Sequence, residues 1–253
     1  MKIFYFTSTG NCLMVAKHIG GELISIPAAL KGETMDYEAD AIGLVFPVYG
    51  LAVPPIIEEF LERAEFHTPY LFAVITFGTF AGGAIRQLSD LLDRKGETLA
   101  YANQLHMQEN YLPGFAMEKQ KKPRKQDEKL EQICQDIHSG KYFVRKNSRF
   151  ACMMTRTHQA DYHYKRGGGV TQQLQISADC THCGICEKIC PTGNIQLEAG
   201  TPVYGNDCLS CLACIQNCPQ KAIRLSNEKS AQRYRNPEIE LTEIVQANQS
   251  GQY

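Results

Sequence analysis

Eight of the eleven cysteines in this 253-residue chain fall between Cys180 and Cys218, and they fall there in a repeated pattern. The run Cys180-Thr-His-Cys183-Gly-Ile-Cys186-Glu-Lys-Ile-Cys190-Pro191 returns 28 residues later as Cys208-Leu-Ser-Cys211-Leu-Ala-Cys214-Ile-Gln-Asn-Cys218-Pro219, with Ile195 and Ile223 in register behind it. The N-terminus lacks the apolar core of an export signal, because the run at residues 3–6 stops at the polar Thr7-Ser8-Thr9. A cytoplasmic, reducing location is therefore expected. Disulfides are disfavoured there, which makes metal ligation the leading reading of the eight. Paired C-x2-C steps also build zinc ribbons, but zinc has no use for a third C-x2 step and a Cys-Pro in both copies. Cys134 and Cys152 stand apart and read as packed or incidental thiols.

Both runs have the C-x2-C-x2-C-x3-C-P spacing of bacterial two-cluster ferredoxins, and over about 50 residues the chain resembles them. The resemblance implies two [4Fe–4S] clusters, the fourth cysteine of each run serving the other cluster. One would be held by Cys180, Cys183, Cys186 and Cys218, the other by Cys208, Cys211, Cys214 and Cys190. Thiolates suit a soft iron–sulfur core, and a domain this small gains fold energy from its metal. Gly184, Ile185, Leu212 and Ala213 are small or apolar neighbours that would exclude water. His182 reads as a surface residue of the loop, with ligation or proton transfer as the open alternative.

The first 140 residues follow a different rule. Short apolar runs at 3–6, 23–26, 41–46, 71–77 and 99–105 alternate with helical periodicity at 10–19, 54–61, 84–92 and 126–138. Five strands separated by helices predict an α/β fold, a doubly wound parallel sheet with right-handed crossovers. Ligands of such sheets sit beyond the carboxyl ends of the strands. After the first strand comes Thr7-Ser8-Thr9-Gly10-Asn11, running straight into a helix, where amides and hydroxyls make an anion site without a cation. Ordinary N-capping would explain the same residues. From residue 3 to Ala16 the stretch resembles the flavodoxin signature for the FMN phosphate. That likeness implies FMN as a cofactor and the strand order 2-1-3-4-5. Cys12 stands where flavodoxins usually have threonine, so one hydrogen bond worth about 1 kcal/mol is missing. A thiol at a helix N-terminus is either reactive or simply packed.

Two more loops fit the resemblance. Pro47, Tyr49 and Gly50 follow the third strand, and Gly78, Thr79, Phe80 and Gly82 follow the fourth, where flavodoxins hold the isoalloxazine ring. With no tryptophan in the chain, Tyr49 and Phe80 are candidates either to pack on the flavin or to fill the core. Gly50 supplies freedom at positive φ beside the ring. Asn110 and Tyr111, after the fifth strand, either approach the cleft or stay on the surface.

Including the tail Arg233-Tyr-Arg-Asn-Pro237, the chain resembles the prokaryotic flavodoxin–ferredoxin fusion proteins along nearly its whole length. The expected parts are a flavodoxin-like domain at 1–140, a basic linker at 141–172, a two-cluster domain at 173–226 and a polar tail at 227–253. The implied role is electron transfer between clusters and FMN for a low-potential redox partner protein in anaerobic metabolism. The alternatives are an FMN reductase fed by the clusters and acting on a small organic substrate, with Tyr49 or Tyr111 as proton donor, and a redox or oxygen sensor. No G-x-G-x-x-G follows a strand, which argues against NAD(P)H as direct donor. Residues 119–166 carry thirteen Lys/Arg against five Asp/Glu, either a solvated stretch or a surface that steers an acidic partner. No nucleic-acid motif accompanies them, no segment is long enough to span a bilayer, and a homodimer is compatible with these residues.

Overall fold

The near-continuous apolar runs become strands covered on both faces, as parallel sheets require. In the computed structural model, which describes residues 1–160 and 173–249, six strands form one parallel sheet. They are β1 (Lys2–Tyr5), β2 (Glu22–Ser25), β3 (Ile42–Pro47), β4 (Leu71–Phe77), β5 (Tyr101–His106) and β6 (Phe143–Val144), in spatial order 2-1-3-4-5-6. The register sets Phe4 between Ile24 and Leu44, Leu44 beside Ala73, and Ala73 beside Ala102.

Side chains alternate across this sheet with the period of two that strands impose. Phe4, Phe6, Leu44, Phe46, Ala73 and Ile75 face helices α2 (Pro55–Arg63) and α3 (Ala84–Asp93), packing on Ile57, Phe60, Ile85 and Leu88. Ile3, Tyr5, Val45, Phe72 and Val74 face α1 (Asn11–Ile19) and α4 (Gln126–His138), packing on Leu13, Val15, Leu130 and Ile133. This second core continues into Ile189 and Ala213 of the cysteine-rich segment and into Ile244 and Ala247 of the C-terminal helix.

Three parts differ from the sequence expectation. The sheet has six strands rather than five, because Phe143 N donates to Ala100 O and Arg145 N to Ala102 O along the outer edge of β5. Two exposed residues carry no periodicity, so this edge strand has no sequence signature. Second, 141–160 is not a linker: helix α5 (Arg149–Ala160) docks by its buried Thr155, whose hydroxyl donates to Leu51 O at 2.5 Å and accepts from Gly83 N at 2.7 Å. The remaining part of the expected linker, with Gly167-Gly168-Gly169, lies outside the described residues.

Third, the polar tail carries a helix, α6 (Leu241–Gln249), that packs Ile244 and Ala247 into the second core. Asn236 closes a turn, its Oδ1 accepting from Glu238 N while its own N–H donates to Thr9 O at 2.8 Å. Ser25 then donates to Ala247 O, which binds α6 to the end of β2.

Gly43 lies beside Phe72 in the β3–β4 register, and a Cβ there would fall inside the Phe72 ring. Gly43→Ala should therefore lower stability by about 1–3 kcal/mol, the cost of overpacking a filled core. Urea unfolding checks this, and an unchanged midpoint would contradict the packing described.

Candidate functional site

The 28-residue repeat of the sequence is also a repeat of backbone shape. His182 and Ser210 sit at φ 57 and 54°, Gly184 and Leu212 at 76 and 60°, and Gly193 and Lys221 at 64 and 53°, each pair one repeat apart. Left-handed residues turn the backbone so that successive amides face inward, a shape that cradles anions. Single-turn helices Ile185–Lys188 and Ala213–Gln216 follow Gly184 and Leu212 and carry Cys186 and Cys214. Two antiparallel ribbons close the unit, Leu174–Ile176 with Ile223–Leu225 and Ile195–Glu198 with Thr201–Tyr204.

Within it the thiols gather in two sets. Cys180, Cys183, Cys186 and Cys218 line one small cavity, and Cys190, Cys208, Cys211 and Cys214 line another. The last cysteine of each run thus faces the other run. Matching amides point at the two crossing sulfurs: Asn194 N–H donates to Cys190 Sγ and Ala222 N–H to Cys218 Sγ, both at 3.3 Å. Among the described residues no three His, Cys, Asp or Glu side chains converge on a point as a single metal ion needs. The thiols spread around cavities instead.

The donor set suits an iron–sulfur cube. Burial pushes the Cys186 thiol up to about 11 and Cys214 well above the ordinary thiol range, with neighbouring sulfurs adding to the rise, so these groups ionise readily only against a cationic core. Tyr204 Oη is buried without a hydrogen-bond partner among the described residues, and Tyr204 lines the cavity of Cys190, Cys208, Cys211 and Cys214. A cluster sulfur is the acceptor this hydroxyl lacks.

Beyond the carboxyl ends of β1, β3, β4 and β5 lies a cleft of about 310 Å³. Its floor is the turn into α1, where Gly10 caps the helix at φ 91° and no side chain satisfies the first amides. Thr7 Oγ1 accepts from Gly10 N at 3.1 Å and Thr9 Oγ1 from Asn110 Nδ2 at 2.8 Å, so two of the loop hydroxyls have structural duties. Ser8 Oγ accepts from Tyr49 Oη at 3.1 Å and keeps its own hydrogen to donate. Tyr49 is half-buried and packs edge-on to Phe6, and burial raises its phenol well above the ordinary range, with Cys211 adding to the effect. Gly50 and Leu51, at φ 55 and 67°, make the two-residue turn between Tyr49 and Ala52.

Ten of the twelve expected cofactor residues line this cleft: Thr7, Ser8, Thr9, Asn11, Pro47, Tyr49, Gly50, Gly78, Thr79 and Phe80, the last overhanging it at 43 % exposure. Gly10 and Gly82 do not. Gly10 is pressed against Ile239 and Asn236 of the tail, and Gly82 against Leu51 O and Thr155. Asn110 and Tyr111 line the cleft, Tyr111 while still 39 % exposed. Cys12 is 1 % exposed, bonded to Thr76 Oγ1 at 3.1 Å, and part of the core.

Two contributions escape sequence reasoning. Glu109 joins the loops after β4 and β5, one oxygen accepting from Thr79 N and Oγ1 at 2.9 Å and the other from Asn110 N at 2.9 Å and Tyr111 N at 3.1 Å. A Cβ on Gly78 would overlap its carboxylate, which explains that glycine. More consequentially, Ser210, Cys211 and Leu212 line both the cleft and the second thiol cavity, so one loop separates the two. Only the pairing of distant segments makes that wall.

Two thiol-lined cavities related by an internal repeat define an iron–sulfur electron-transfer module, and comparison with known proteins agrees. A family profile described as the 4Fe–4S dicluster domain matches residues 179–223. Ferredoxin-1 of Chlorobaculum tepidum is 39% identical over 59 residues, 20% of this chain and 92% of that protein. Polyferredoxin protein MvhB of Methanothermus fervidus is 38% identical over 46 residues, 18% of this chain and 11% of its own. One component of the ion-translocating oxidoreductase complex of Methanosarcina acetivorans is 34% identical over 77 residues, 30% of this chain and 28% of its own. Through this segment the chain belongs to the two-cluster 4Fe–4S ferredoxin family. The chain spans only a small part of the latter two relatives, and each match covers less than a third of this chain. Among the described residues no helix is long and apolar enough to cross a membrane.

Burial pushes the Cys12 thiol up to about 12, so almost none of it is thiolate near neutrality despite its place at a helix N-terminus. Cys12 should stay unmodified by iodoacetamide at pH 8 in the folded chain and react once the chain is unfolded. Peptide mass spectrometry reads this directly, and labelling of Cys12 in the native protein would contradict its burial.

Proposed function

We propose that the chain is an electron-transfer iron–sulfur flavoprotein in which a flavodoxin-like unit holds FMN in the cleft and the ferredoxin segment holds two clusters beside it. The observation that carries this reading is the shared wall of Ser210, Cys211 and Leu212. When bound, the clusters supply single-electron transfer and FMN supplies one- or two-electron storage.

The residues divide the work. Cys180, Cys183, Cys186 and Cys218 hold the first cluster, and Cys208, Cys211, Cys214 and Cys190 the second. The uncapped amides at the start of α1, with the Ser8 hydroxyl, take the FMN phosphate, the helix dipole favouring its charge. Tyr49 and Phe80 border the ring, while Glu109 fixes the two loops around it. Leu212, buried in the dividing wall, keeps water out of the path between the sites.

An order of the clusters follows from this reading. The second stands at the flavin; the first, whose loop exposes Thr181, His182 and Cys183, faces outward to a redox partner protein. That a component of an ion-translocating oxidoreductase complex is similar over 30% of this chain supports a protein as that partner.

Anaerobic reconstitution should yield about eight iron and one FMN per chain. Cys190→Ser should abolish the paramagnetic signal of the second cluster and slow cluster-dependent FMN reduction at least about tenfold, while the first cluster survives. Electron paramagnetic resonance showing the first cluster lost instead would contradict the assignment.

A further inference from the structure

Between the last two cysteines of the second run stand Gln216 and Asn217, each 3 % exposed. Neither lines a thiol cavity. Both reach the other way. Asn217 Nδ2 spends its two hydrogens on Ser8 O and Ala213 O, both at 2.9 Å. Gln216 Nε2 donates to Asn110 O at 2.6 Å, and its Oε1 accepts from Tyr234 N at 2.8 Å. Ser8 and Asn110 belong to the two cleft loops that follow β1 and β5, and Asn110 in turn holds Thr9. One short stretch between two thiol ligands therefore grips both loops by their main chain.

Cluster binding itself does not ask for these amides. One repeat earlier the same positions carry Lys188, which is exposed, and Ile189, which is buried in the apolar core. The pair is specific to the half of the repeat that faces the cleft.

We propose that Gln216 and Asn217 are positioning residues of the flavin site and that through them cluster loading and FMN affinity are linked. This rests on the reading that the cleft takes FMN and the thiols take clusters. With a cluster in place Cys214 and Cys218 are fixed, and the two amides between them hold Ser8 and Asn110 in the shape that receives the phosphate and the ring. Without it the stretch is released and FMN must order the loops itself, at a cost in affinity. Linkage is reciprocal, so bound FMN must also secure the iron.

The test uses the full chain, anaerobically reconstituted. FMN affinity, read by quenching of flavin fluorescence, should fall about tenfold when a chelator strips the iron. Saturating FMN should in turn raise the chelator concentration that removes half of the iron at equilibrium. Asn217→Leu and Gln216→Leu, with full iron content, should each bind FMN several-fold to tenfold more weakly. In both, FMN should lose most of its protective effect on the iron. Ser230→Ala removes a hydroxyl that donates to Glu118 Oε2 outside the cleft, and should leave FMN affinity unchanged.

Equal FMN affinity with and without iron, or no shift in the wild-type chelator midpoint, overturns the linkage whatever the variants do. Leucine variants that keep their iron and bind FMN within twofold of wild type overturn the role of the two residues. A wild-type chain that takes up iron but no FMN is a different failure: it overturns the assignment of the cleft.

Discussion

One loop, Ser210 to Leu212, faces a thiol-lined cavity on one side and the cleft at the end of the parallel sheet on the other. Electron transfer demands short separations through dry protein, and under the proposed function this wall is where the two halves of the chain would meet that demand. Leu212 is held in a left-handed conformation that a branched side chain adopts only at a cost. The cost is accepted because the equivalent turn at Gly184 must be repeated around the second cavity, and because the leucine then seals the wall while packing on Ile215 and Ile223.

The wall stays in place because other segments are tied across it. Residues 112–117 leave the cleft side and join the ferredoxin core through Leu112 and Met117, which pack in one apolar group with Leu212, Ile215, Ile223 and Leu225. The tail returns in the opposite direction. Tyr234 Oη and Asn236 Nδ2 both donate to Asn11 Oδ1, at 2.8 and 3.0 Å, on the helix that opens at the cleft floor. A buried ion pair, Arg233 with Glu228 at 3.1 Å, anchors the start of that return, with Arg233 Nη2 also donating to Ile223 O. The polar ties join particular atoms of distant segments, so the interface is specific rather than merely adhesive.

What the sequence makes legible follows from what each feature requires. Cysteine identity and spacing cannot drift if four sulfurs are to surround a cube, so both thiol sets stand out in the chain. Strands covered on both faces need unbroken apolar runs, which is why β1, β3 and β4 are plain to read, whereas Phe143–Val144 at an exposed edge is not. Helix α5 hides because its cations, Arg149 and Arg156, resemble those of a solvated stretch, and only the tertiary contact of Thr155 with Leu51 and Gly83 shows it to be part of the body. Glu109, Gln216 and Asn217 have no local signature at all. Their roles arise from distant segments of the chain meeting at one cleft, which is the kind of information a periodicity does not carry.

The most direct test of the central claim is the kinetics of flavin bleaching after rapid photochemical reduction of the clusters in the fully loaded chain. First-order loss of the oxidised flavin absorbance is predicted, at a rate independent of protein concentration, because both sites lie within one molecule and share a wall. A rate that rises in proportion to protein concentration, or clusters that stay reduced while the flavin stays oxidised, would contradict it.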